Sequence, residues 1–353
     1  DPDTSSRFHL LILDYGQGII AIKIVNGGIM MDSSQPSVSV ILPILNEEQN
    51  LSDCISAILN QEYSGELEII LALGPSKDKT SEIAENLAKK DNRIKLVKNP
   101  TGQTAVGLNL AIEKSRFGII CRIDGHSEIQ PTYIKTAVEI MQQQKAVNVG
   151  GLMYADSPSG LQRVIALAMR SKLGVGPSKF HTGGDASESD TVYLGTFNKP
   201  ALLAAGGFDE RYIRAQDWEL NYRLRKNGGL VWFDPRLVVT YRPRKSIIKL
   251  AKQYFQYGMW RRALLRQYKE TINYRYLAPP FTVLASLLSI LLSVINPLFI
   301  TPFLIYLSLI IIGGLVIGKK LTEKLFMPLV LFVMHFSWGI GFLSSPRKLL
   351  KTN

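Results

Sequence analysis

The sequence predicts an α/β domain built on a mostly parallel sheet, followed by a basic amphipathic segment and membrane helices. Two observations lead to this prediction. From Pro36 onward, short apolar runs alternate with longer segments of helical periodicity, which is typical of a parallel sheet covered on both faces. Near the C-terminus, Tyr276–Gly318 is a run of 43 residues without a charged side chain.

Five apolar runs are predicted as strands, and four segments between or beside them as helices. The strands are Val38–Leu42, Leu67–Leu73, Ile94–Val97, Gly118–Ile123 and Val147–Met153. The helices are Glu48–Asn60, Thr80–Lys90, Thr104–Glu113 and Pro131–Gln143.

Polar residues follow three of these strands at the point where each strand ends. Pro43, Asn46 and Glu47 follow the first, Gly74–Asp78 the second and Asp124-Gly125-His126 the fourth. Because ligands of such sheets bind outside the carboxyl ends of the strands, we expect a nucleotide site there. The sequence has neither a GxGxxG motif nor a P-loop, which argues against a dinucleotide dehydrogenase or a P-loop ATPase.

The 353 residues carry a formal charge of +12, and this charge is unevenly distributed. Residues 1–240 have a net charge of −2, residues 241–275 of +9 and residues 276–353 of +5. A nearly neutral first domain argues against nucleic acid as a partner, since binding to phosphates requires several basic contacts. The basic segment instead borders the uncharged run, which indicates an anionic membrane surface.

The uncharged run is long enough for two membrane helices, Leu277–Ile295 and Leu298–Ile317, joined at Asn296-Pro297. A third apolar segment, Leu325–Pro346, is 22 residues long. Three full crossings would place Arg347 and Lys348 opposite the α/β domain, against the positive-inside tendency. The third segment is therefore either re-entrant or interfacial, or it crosses against this tendency. The alternative for all of these segments is a set of buried helices in a soluble protein.

Lys245–Lys269 has apolar and aromatic residues at helical spacing, with basic residues beside them. Such a helix suits the headgroup layer of a membrane, and the alternative is a packed helix with a solvated basic face. Residues 1–35 show no signal peptide, and we expect them to be an extension with the natural start at Met30 or Met31. Cys54 and Cys121 lie in apolar runs, as buried thiols of a reducing compartment do.

Two acidic positions stand out as candidates for chemistry. The turn at Asp124-Gly125-His126 presents a carboxylate and an imidazole two residues apart, a spacing that can serve one divalent cation, although an ordinary polar turn would look the same. Asp217 opens a helix that ends before Gly228-Gly229. It is either an N-cap or a general base that points into a cleft.

Six motifs in this order resemble the family 2 glycosyltransferases of GT-A fold, in the membrane-attached branch that includes enzymes of succinoglycan-type exopolysaccharide synthesis. They extend over Pro36 to Arg261. The motifs are Pro43–Glu48, Ser76–Thr80, Asn99–Gly102 with Gly107–Asn109, Ile123–His126, Gly206–Asp209 and Gln216-Asp217. The resemblance implies a Rossmann-like, mostly parallel catalytic domain at residues 36–242, interfacial helices at 243–275, two to three membrane helices at 276–346 and a basic tail at 347–353.

The resemblance also implies roles for individual residues. The residues implied to bind the nucleotide sugar are Pro43, Asn46, Glu47, Asp78, Asn109 and Asp124. Asp124 and His126 are implied to bind a divalent metal, Mg²⁺ or Mn²⁺, and Asp217 is implied to be the general base. On the acceptor side the candidates are Gln216, His181, Asp190, Trp260 and Arg261.

The sequence departs from the family pattern at several of these positions. Gly74-Pro75 stands where relatives often have paired acids, and Leu45 replaces a common aromatic residue, so the base of the nucleotide stays open. Gln216 replaces a common Glu. Met259-Trp260-Arg261 reverses the usual Arg-Trp order, which weakens the case for processive synthesis.

The function expected from the resemblance is inverting transfer of a sugar from a nucleoside-diphosphate sugar to a lipid-linked saccharide, such as a polyprenyl-linked one, at the cytoplasmic face of the membrane. Two alternatives stay open. One is a glycosyltransferase that acts directly on a polyprenyl phosphate, as dolichol-phosphate-mannose synthases do. The other is a membrane scaffold that binds a nucleotide sugar without catalysis.

Overall fold

The computed structural model describes residues 35–350 with their side chains and, before them, the backbone of three strands. These are β1 (His9–Asp14), β2 (Ile19–Val25) and β3 (Gly28–Met31), which form an antiparallel sheet of their own. The rest of the expected extension at residues 1–35 lies almost entirely outside the described residues, and the natural start at Met30 or Met31 stays a prediction.

The main sheet has nine strands. They are β4 (Val38–Ile44), β5 (Leu67–Leu73), β6 (Ile94–Lys98), β7 (Ile119–Arg122), β8 (Glu128–Ile129), β9 (Asn148–Ala155), β10 (Ser187–Glu188), β11 (Tyr193–Asn198) and β12 (Val231–Tyr241).

The helices of the described part follow in chain order. They are α1 (Leu51–Leu59), α2 (Thr80–Lys90), α3 (Thr104–Lys114), α4 (Tyr133–Gln144), α5 (Gly160–Met169), α6 (Lys172–Val175), α7 (Lys179–Thr182), α8 (Lys199–Ala204), α9 (Gln216–Lys226), α10 (Ile247–Gln267), α11 (Tyr274–Leu292), α12 (Thr301–Ile317) and α13 (Leu321–Ser344).

The strand order is β10-β12-β9-β11-β7-β4-β5-β6, with β8 paired to β12. Strands β4, β5, β6, β7, β9 and β12 run in one direction, and β8, β10 and β11 run against them. The five predicted strands are present. β11 has an irregularity where Leu194 and Gly195 adopt positive φ angles of 59° and 114°.

Both faces of the central strands are buried. On one face Val40 and Leu42 of β4 pack in a cluster with Ile55 of α1, and on the other face Ile41 packs in a cluster with Leu108 of α3. Each such fully buried aliphatic side chain contributes about 1.5–3 kcal/mol relative to exposure. Burial on both faces explains why β4 and β5 read as continuous apolar runs. It also fixes the carboxyl ends of β4, β5, β6 and β7 along one edge, where the polar loops begin.

Three C-terminal helical segments are long and apolar enough to cross a membrane, namely Tyr274–Leu292, Pro297–Ile317 and Leu321–Ser344. α11 and α12 form a hairpin. At its turn, Val294, Ile295 and Leu298 are about four-fifths exposed, as expected of side chains that face lipid.

The third helix, α13, follows a different course, because elements of the α/β domain and α10 contact it along its whole length. At its start, Glu323 lies 3.7 Å from Arg163 of α5. Further along, His335 Nε2 donates to the Leu173 carbonyl oxygen at 2.8 Å. At its end, Arg266 of α10 donates to the Ser345 carbonyl at 2.7 Å.

α10 packs against α13, and the expected position of residues 243–275 at the headgroup layer stays a prediction. Gly258 and Gly341 allow the backbones of α10 and α13 to touch, and a Cβ at Gly341 would lie 2.0 Å from the Phe255 carbonyl oxygen. Leu250 and Tyr254 are buried in the cluster that α13 completes. The apolar face of α10 is thus covered by α13, because the two helices have complementary apolar faces.

Candidate active site

One guanidinium group connects the two carboxylates that the sequence singles out. Arg122, the last residue of β7, is 3% exposed and donates from Nη1 to Asp217, at the first turn of α9. Its Nη2 donates to Asp124 Oδ1 at 3.1 Å, and its Nε donates to the same oxygen at 3.3 Å. The structure therefore brings Asp124 and Asp217 together, although 93 positions separate them in the sequence.

Burial and charge act on this triad in opposite directions. Burial raises the pKa of Asp217 above its ordinary value, Arg122 opposes this, and Asp124 adds to it. Burial alone would lower the pKa of Arg122, but the two carboxylates raise it, so the guanidinium stays charged. Asp217 is therefore a stronger base than a solvent-exposed aspartate, which is the property that a general base requires.

A second pair lies at the same edge of the sheet. His126 Nδ1 and Glu47 Oε1 are 2.8 Å apart, and this hydrogen bond is the main reason that the pKa of His126 is raised. Gly125 makes the approach possible, because a Cβ there would lie 2.7 Å from Ile44 Cδ1 and 3.1 Å from Glu47 Cγ. When Nδ1–H donates to Glu47, Nε2 keeps a free lone pair.

This arrangement fits the donor set that a divalent cation uses. A metal-bound histidine typically donates its other ring N–H to a carboxylate, as His126 does to Glu47. Arg122 contacts only Oδ1 of Asp124, and among the described residues Oδ2 accepts no hydrogen bond. The part of the chain that the structure describes contains no group of three or more His, Cys, Asp or Glu side chains placed to hold a metal. Two protein donors would thus need completion by a ligand such as a diphosphate.

The predicted nucleotide residues after β4 and β5 form one hydrogen-bonded pair of loops. The side-chain oxygen of Asn46 accepts from the Lys77 backbone N–H at 2.8 Å, and the Asn46 backbone N–H donates to Ser76 Oγ at 3.0 Å. Asp78 accepts from the Glu48 amide at 3.3 Å and from Thr80, whose hydroxyl lowers the pKa of Asp78. Pro43 lies in β4 beside Ala72 of β5. The loops are therefore fixed to each other before any ligand binds.

Asn109 lies on α3 and holds a different loop. Its amide nitrogen donates to the Phe208 carbonyl at 2.8 Å and to Glu210 at 2.9 Å, and its oxygen accepts from the Phe208 amide at 2.9 Å. Gly207, at φ +67°, passes so close that a Cβ would lie 2.8 Å from the Asn109 oxygen. The structure thus places Asn109 against the loop that leads to α9, and its role toward the nucleotide stays a prediction.

The acceptor-side candidates separate into two groups. His181 and Arg275 line a cavity of about 430 Å³ between the α/β domain and the C-terminal helices, and Asp190 pairs with Arg275 at 2.5 Å. Arg261 is 5% exposed and contacts two aromatic residues of that cavity, Trp218 and Tyr276.

Trp260 and Gln216 lie elsewhere. Trp260 is buried in a cluster with Tyr212, at 5.8 Å between ring centroids. Gln216 is 8% exposed at the start of α9. The structure does not bring either side chain to the lining of the cavity, and their roles toward the acceptor stay predictions.

Sequence reasoning did not assign a role to Arg122. A signal for it exists, because Arg122 is the one charged residue in the apolar run that leads from Gly118 to Ile123, directly before Asp124. A charge in a strand that is buried on both faces requires a partner, and this requirement indicates a role.

Comparison with known proteins finds similarity in the same part of the chain. Residues 39–193 match the family described as Glycosyl transferase family 2. The chain is 28% identical over 307 residues to the succinoglycan biosynthesis protein ExoA of Rhizobium meliloti, with 86% of this chain and 93% of the relative covered. This chain is a glycosyltransferase that resembles family 2 over residues 39–193. The resemblance to enzymes of exopolysaccharide synthesis is thus confirmed.

Two further proteins are similar to this glycosyltransferase. One is a Methanococcus voltae protein named dolichyl N-acetyl-alpha-D-glucosaminyl phosphate 3-beta-D-2,3-diacetamido-2,3-dideoxy-beta-D-glucuronosyltransferase, 29% identical over 316 residues, covering 86% of this chain and 95% of the relative. The other is the structure of a mannosyltransferase from Pyrobaculum calidifontis in complex with GDP-Man and Mn²⁺. It covers 88% of each chain with a TM-score of 0.60 and 15% identity, and it supports the GT-A fold.

Proposed function

We propose that this glycosyltransferase transfers a sugar, with inversion, from a nucleoside-diphosphate sugar to a saccharide carried by a membrane lipid. The observation that carries the proposal is the placement of Asp217. Arg122 fixes its carboxylate beside Asp124, at the sheet edge where the nucleotide loops converge. One carboxylate is thereby available to the acceptor while the other lies on the donor side.

In the proposed reaction, a hydroxyl of the acceptor attacks the anomeric carbon and loses its proton to Asp217. Burial supports this role, since it raises the pKa of Asp217 and strengthens the base. Arg122 holds the carboxylate in one orientation, which lowers the entropic cost of a productive encounter. The bond to the nucleoside diphosphate breaks on the opposite face of the sugar, as inversion requires.

On the donor side, Asp124 and His126 would hold a divalent metal such as Mg²⁺ or Mn²⁺, with Glu47 orienting the imidazole. When bound, the metal would neutralise negative charge on the departing diphosphate. The paired loops that contain Asn46 and Asp78 would form the wall of the nucleotide pocket. In the Pyrobaculum structure, the bound GDP-Man and Mn²⁺ support this choice of ligands.

The acceptor is proposed to be polyprenyl-linked, and the membrane helices support this. α11 and α12 expose apolar side chains next to the α/β domain. The relative from Methanococcus voltae is named for a dolichyl-linked acceptor. The basic residues near α10 favour the cytoplasmic leaflet. We propose that α11 and α12 cross the membrane and that α13 lies at its surface, because α5 contacts the start of α13 and α10 contacts its end.

The test is Asp217→Asn in the purified full-length enzyme. Sugar transfer should fall by roughly 10²- to 10⁴-fold, the usual effect of losing a general base. Affinity for UDP or GDP, measured by calorimetry, should stay within a factor of about two. Asp53→Asn, which changes an exposed aspartate in the first turn of α1, is the matched control. Near-normal turnover of Asp217→Asn would reject the assignment.

A further inference from the structure

The cavity of about 430 Å³ beside α9 differs in character from the polar edge of the sheet. Its walls include aromatic residues from three sources: Trp218 of α9, Tyr254 and Tyr257 of α10, and Tyr276, Tyr306 and Trp338 of the C-terminal helices. Its volume is within the range of small-molecule sites. Because α11, α12 and α13 form one side, an apolar chain could pass from the cavity into lipid without crossing water.

The charge at this cavity is unbalanced. Among the described residues that line it, Lys172 and Arg275 are basic and none is acidic. Asp190 pairs with Arg275 from outside the lining, at 2.5 Å, so Lys172, Arg275 and the nearby Arg261 together meet one carboxylate.

Arg261 lies behind the aromatic wall. Its guanidinium carbon is 3.6 Å from the centroid of the Tyr276 ring and 5.3 Å from that of Trp218. Arg261 Nη2 donates to the Thr271 carbonyl at 2.6 Å. In the described part of the chain, Arg261 has no carboxylate within ion-pair distance. Burial lowers the pKa of Arg261, which reflects the cost of burying this charge, and the nearby charge of Asp190 offsets only part of that cost.

His181 adds an unsatisfied polar atom. Its Nδ1 is buried and has no hydrogen-bond partner among the described residues, while the ring lines the cavity and lies 4.2 Å from Phe180 between centroids. Burial lowers the pKa of His181 to about 3, so the imidazole is neutral at physiological pH. A ligand in the cavity would find a neutral hydrogen-bonding group beside cationic ones.

The cavity lies next to the proposed base. Trp218 lines it, and Asp217 is the preceding residue, so their Cα atoms are about 3.8 Å apart. An anionic group held near Arg261 and Arg275 would therefore lie close to the carboxylate that takes the proton.

We propose that this cavity binds the acceptor lipid, with the first isoprenoid units against the aromatic wall and the phosphate or diphosphate at Arg275, where Arg261 adds positive charge from behind the wall. The proposal deepens the proposed function and rests on it, since it assigns the lipid part of the acceptor to a place beside Asp217. It commits to an isoprenoid phosphate and not to a bilayer phospholipid, because the excess positive charge and the enclosed aromatic wall occur together.

The test is a binding assay on the detergent-solubilised full-length protein. Binding is measured by the change in Trp fluorescence, since Trp218 and Trp338 line the cavity. The probes are farnesyl diphosphate, farnesol, inorganic pyrophosphate and phosphatidylglycerol in micelles. Farnesyl diphosphate should bind at least ten times more tightly than each of the other three. Equal affinity for farnesol or for phosphatidylglycerol would overturn the proposal, and this comparison needs no variant.

Two pairs of variants separate the parts of the site. Arg261→Gln should remove the preference for farnesyl diphosphate over farnesol, and Arg261→Lys should restore part of it. Ala278→Trp, at an exposed lining residue of α11, should weaken farnesyl diphosphate and farnesol alike by at least tenfold. Leu288→Trp, on the same helix but outside the cavity lining, should leave both affinities unchanged. Unchanged binding in Ala278→Trp would place the lipid elsewhere.

One further variant distinguishes failure of this proposal from failure of the proposed function. Asp217→Asn should bind farnesyl diphosphate as the unmodified protein does, because Asp217 touches the acceptor sugar and not the isoprenoid. If Asp217→Asn retains sugar transfer, the proposed function fails while lipid binding still stands. If lipid binding is absent while Asp217→Asn is inactive, the lipid site fails and the assignment of the base stands.

Discussion

Arg122 and Asp217 form an ion pair between the end of β7 and the start of α9, 95 residues apart in the chain. The pair fixes α9 against the sheet at the position where Asp124 also meets Arg122. Position and protonation of the proposed base are therefore set by a residue that has no direct part in the chemistry.

Replacement of Arg122 by Met should lower kcat by roughly 10²-fold or more, because both carboxylates lose their fixed orientation. It should also change the pH profile. Asp217 is active when ionised, so activity is lost as pH falls through its pKa. Arg122 lowers that pKa, so its removal should move the acid limb of kcat to higher pH. Arg236→Met, which removes a mostly exposed arginine paired with Asp234, should leave the profile unchanged. An acid limb at the original pH would contradict this coupling.

Replacement of Glu47 by Gln should affect metal binding in two ways. His126 binds a metal only as neutral imidazole, and Glu47 raises its pKa above 6.5, so Mn²⁺ affinity should fall as pH drops through that raised pKa. In the variant this fall should occur at lower pH, while affinity at pH 8 should drop by about 10- to 100-fold because the ring loses its orientation.

Mn²⁺ binding can be followed by electron paramagnetic resonance at several pH values, with no need for turnover. Glu85→Gln, at an exposed position on α2, is the control.

In the transfer assay, Asp124→Ala should remove the dependence on divalent ions. Full activity of the unmodified enzyme in EDTA would exclude metal catalysis.

Replacement of Gly341 by Ala should loosen α13 from α10. The added Cβ would lie 2.0 Å from the Phe255 carbonyl oxygen, so the backbones must separate. We expect the free energy of unfolding to fall by about 1–3 kcal/mol, the usual cost of overpacking. Thermal unfolding in detergent measures this change in stability. Gly118→Ala is the matched control, since a Cβ there meets no atom within 4 Å. Equal melting temperatures for the two variants would show that the contact is unimportant.

The course of α13 can be tested by labelling of single cysteines. Cys54 and Cys121 are buried and should give little background. In intact cells, a membrane-impermeant maleimide should label Asn296→Cys at the hairpin turn but neither Lys348→Cys after α13 nor Lys89→Cys on α2. Labelling of Lys348→Cys together with Asn296→Cys would show that α13 crosses the membrane.

The edge of the sheet could be predicted from the sequence because strand periodicity places Glu47, Asp78 and Asp124 after the strands that carry them. The link between Arg122 and Asp217 could not, since it depends on how the chain returns after α8. Asn109 shows the same limit. Its residue type suits a nucleotide pocket, yet its amide bonds to Phe208 and Glu210, and only the packing of α3 decides this.

Strands β11 and β12 escaped prediction for local reasons. β11 contains Gly195 at positive φ, and β12 contains Asp234-Pro235 within its length, where the register to β9 shifts. Both features interrupt the apolar pattern from which a strand is recognised. The α13 segment shows a different limit, because hydropathy records that a helix is apolar and not which of its faces the domain covers.

The glycines of the C-terminal helices have a consequence for purified protein. At Gly258, Gly339 and Gly341, main chain meets main chain, so no flexible side chains separate α13 from α10 or from α11. Such contacts do not permit sliding. The alignment of the catalytic domain with the hairpin is then a property of the polypeptide itself, and it should persist after the bilayer has been exchanged for detergent.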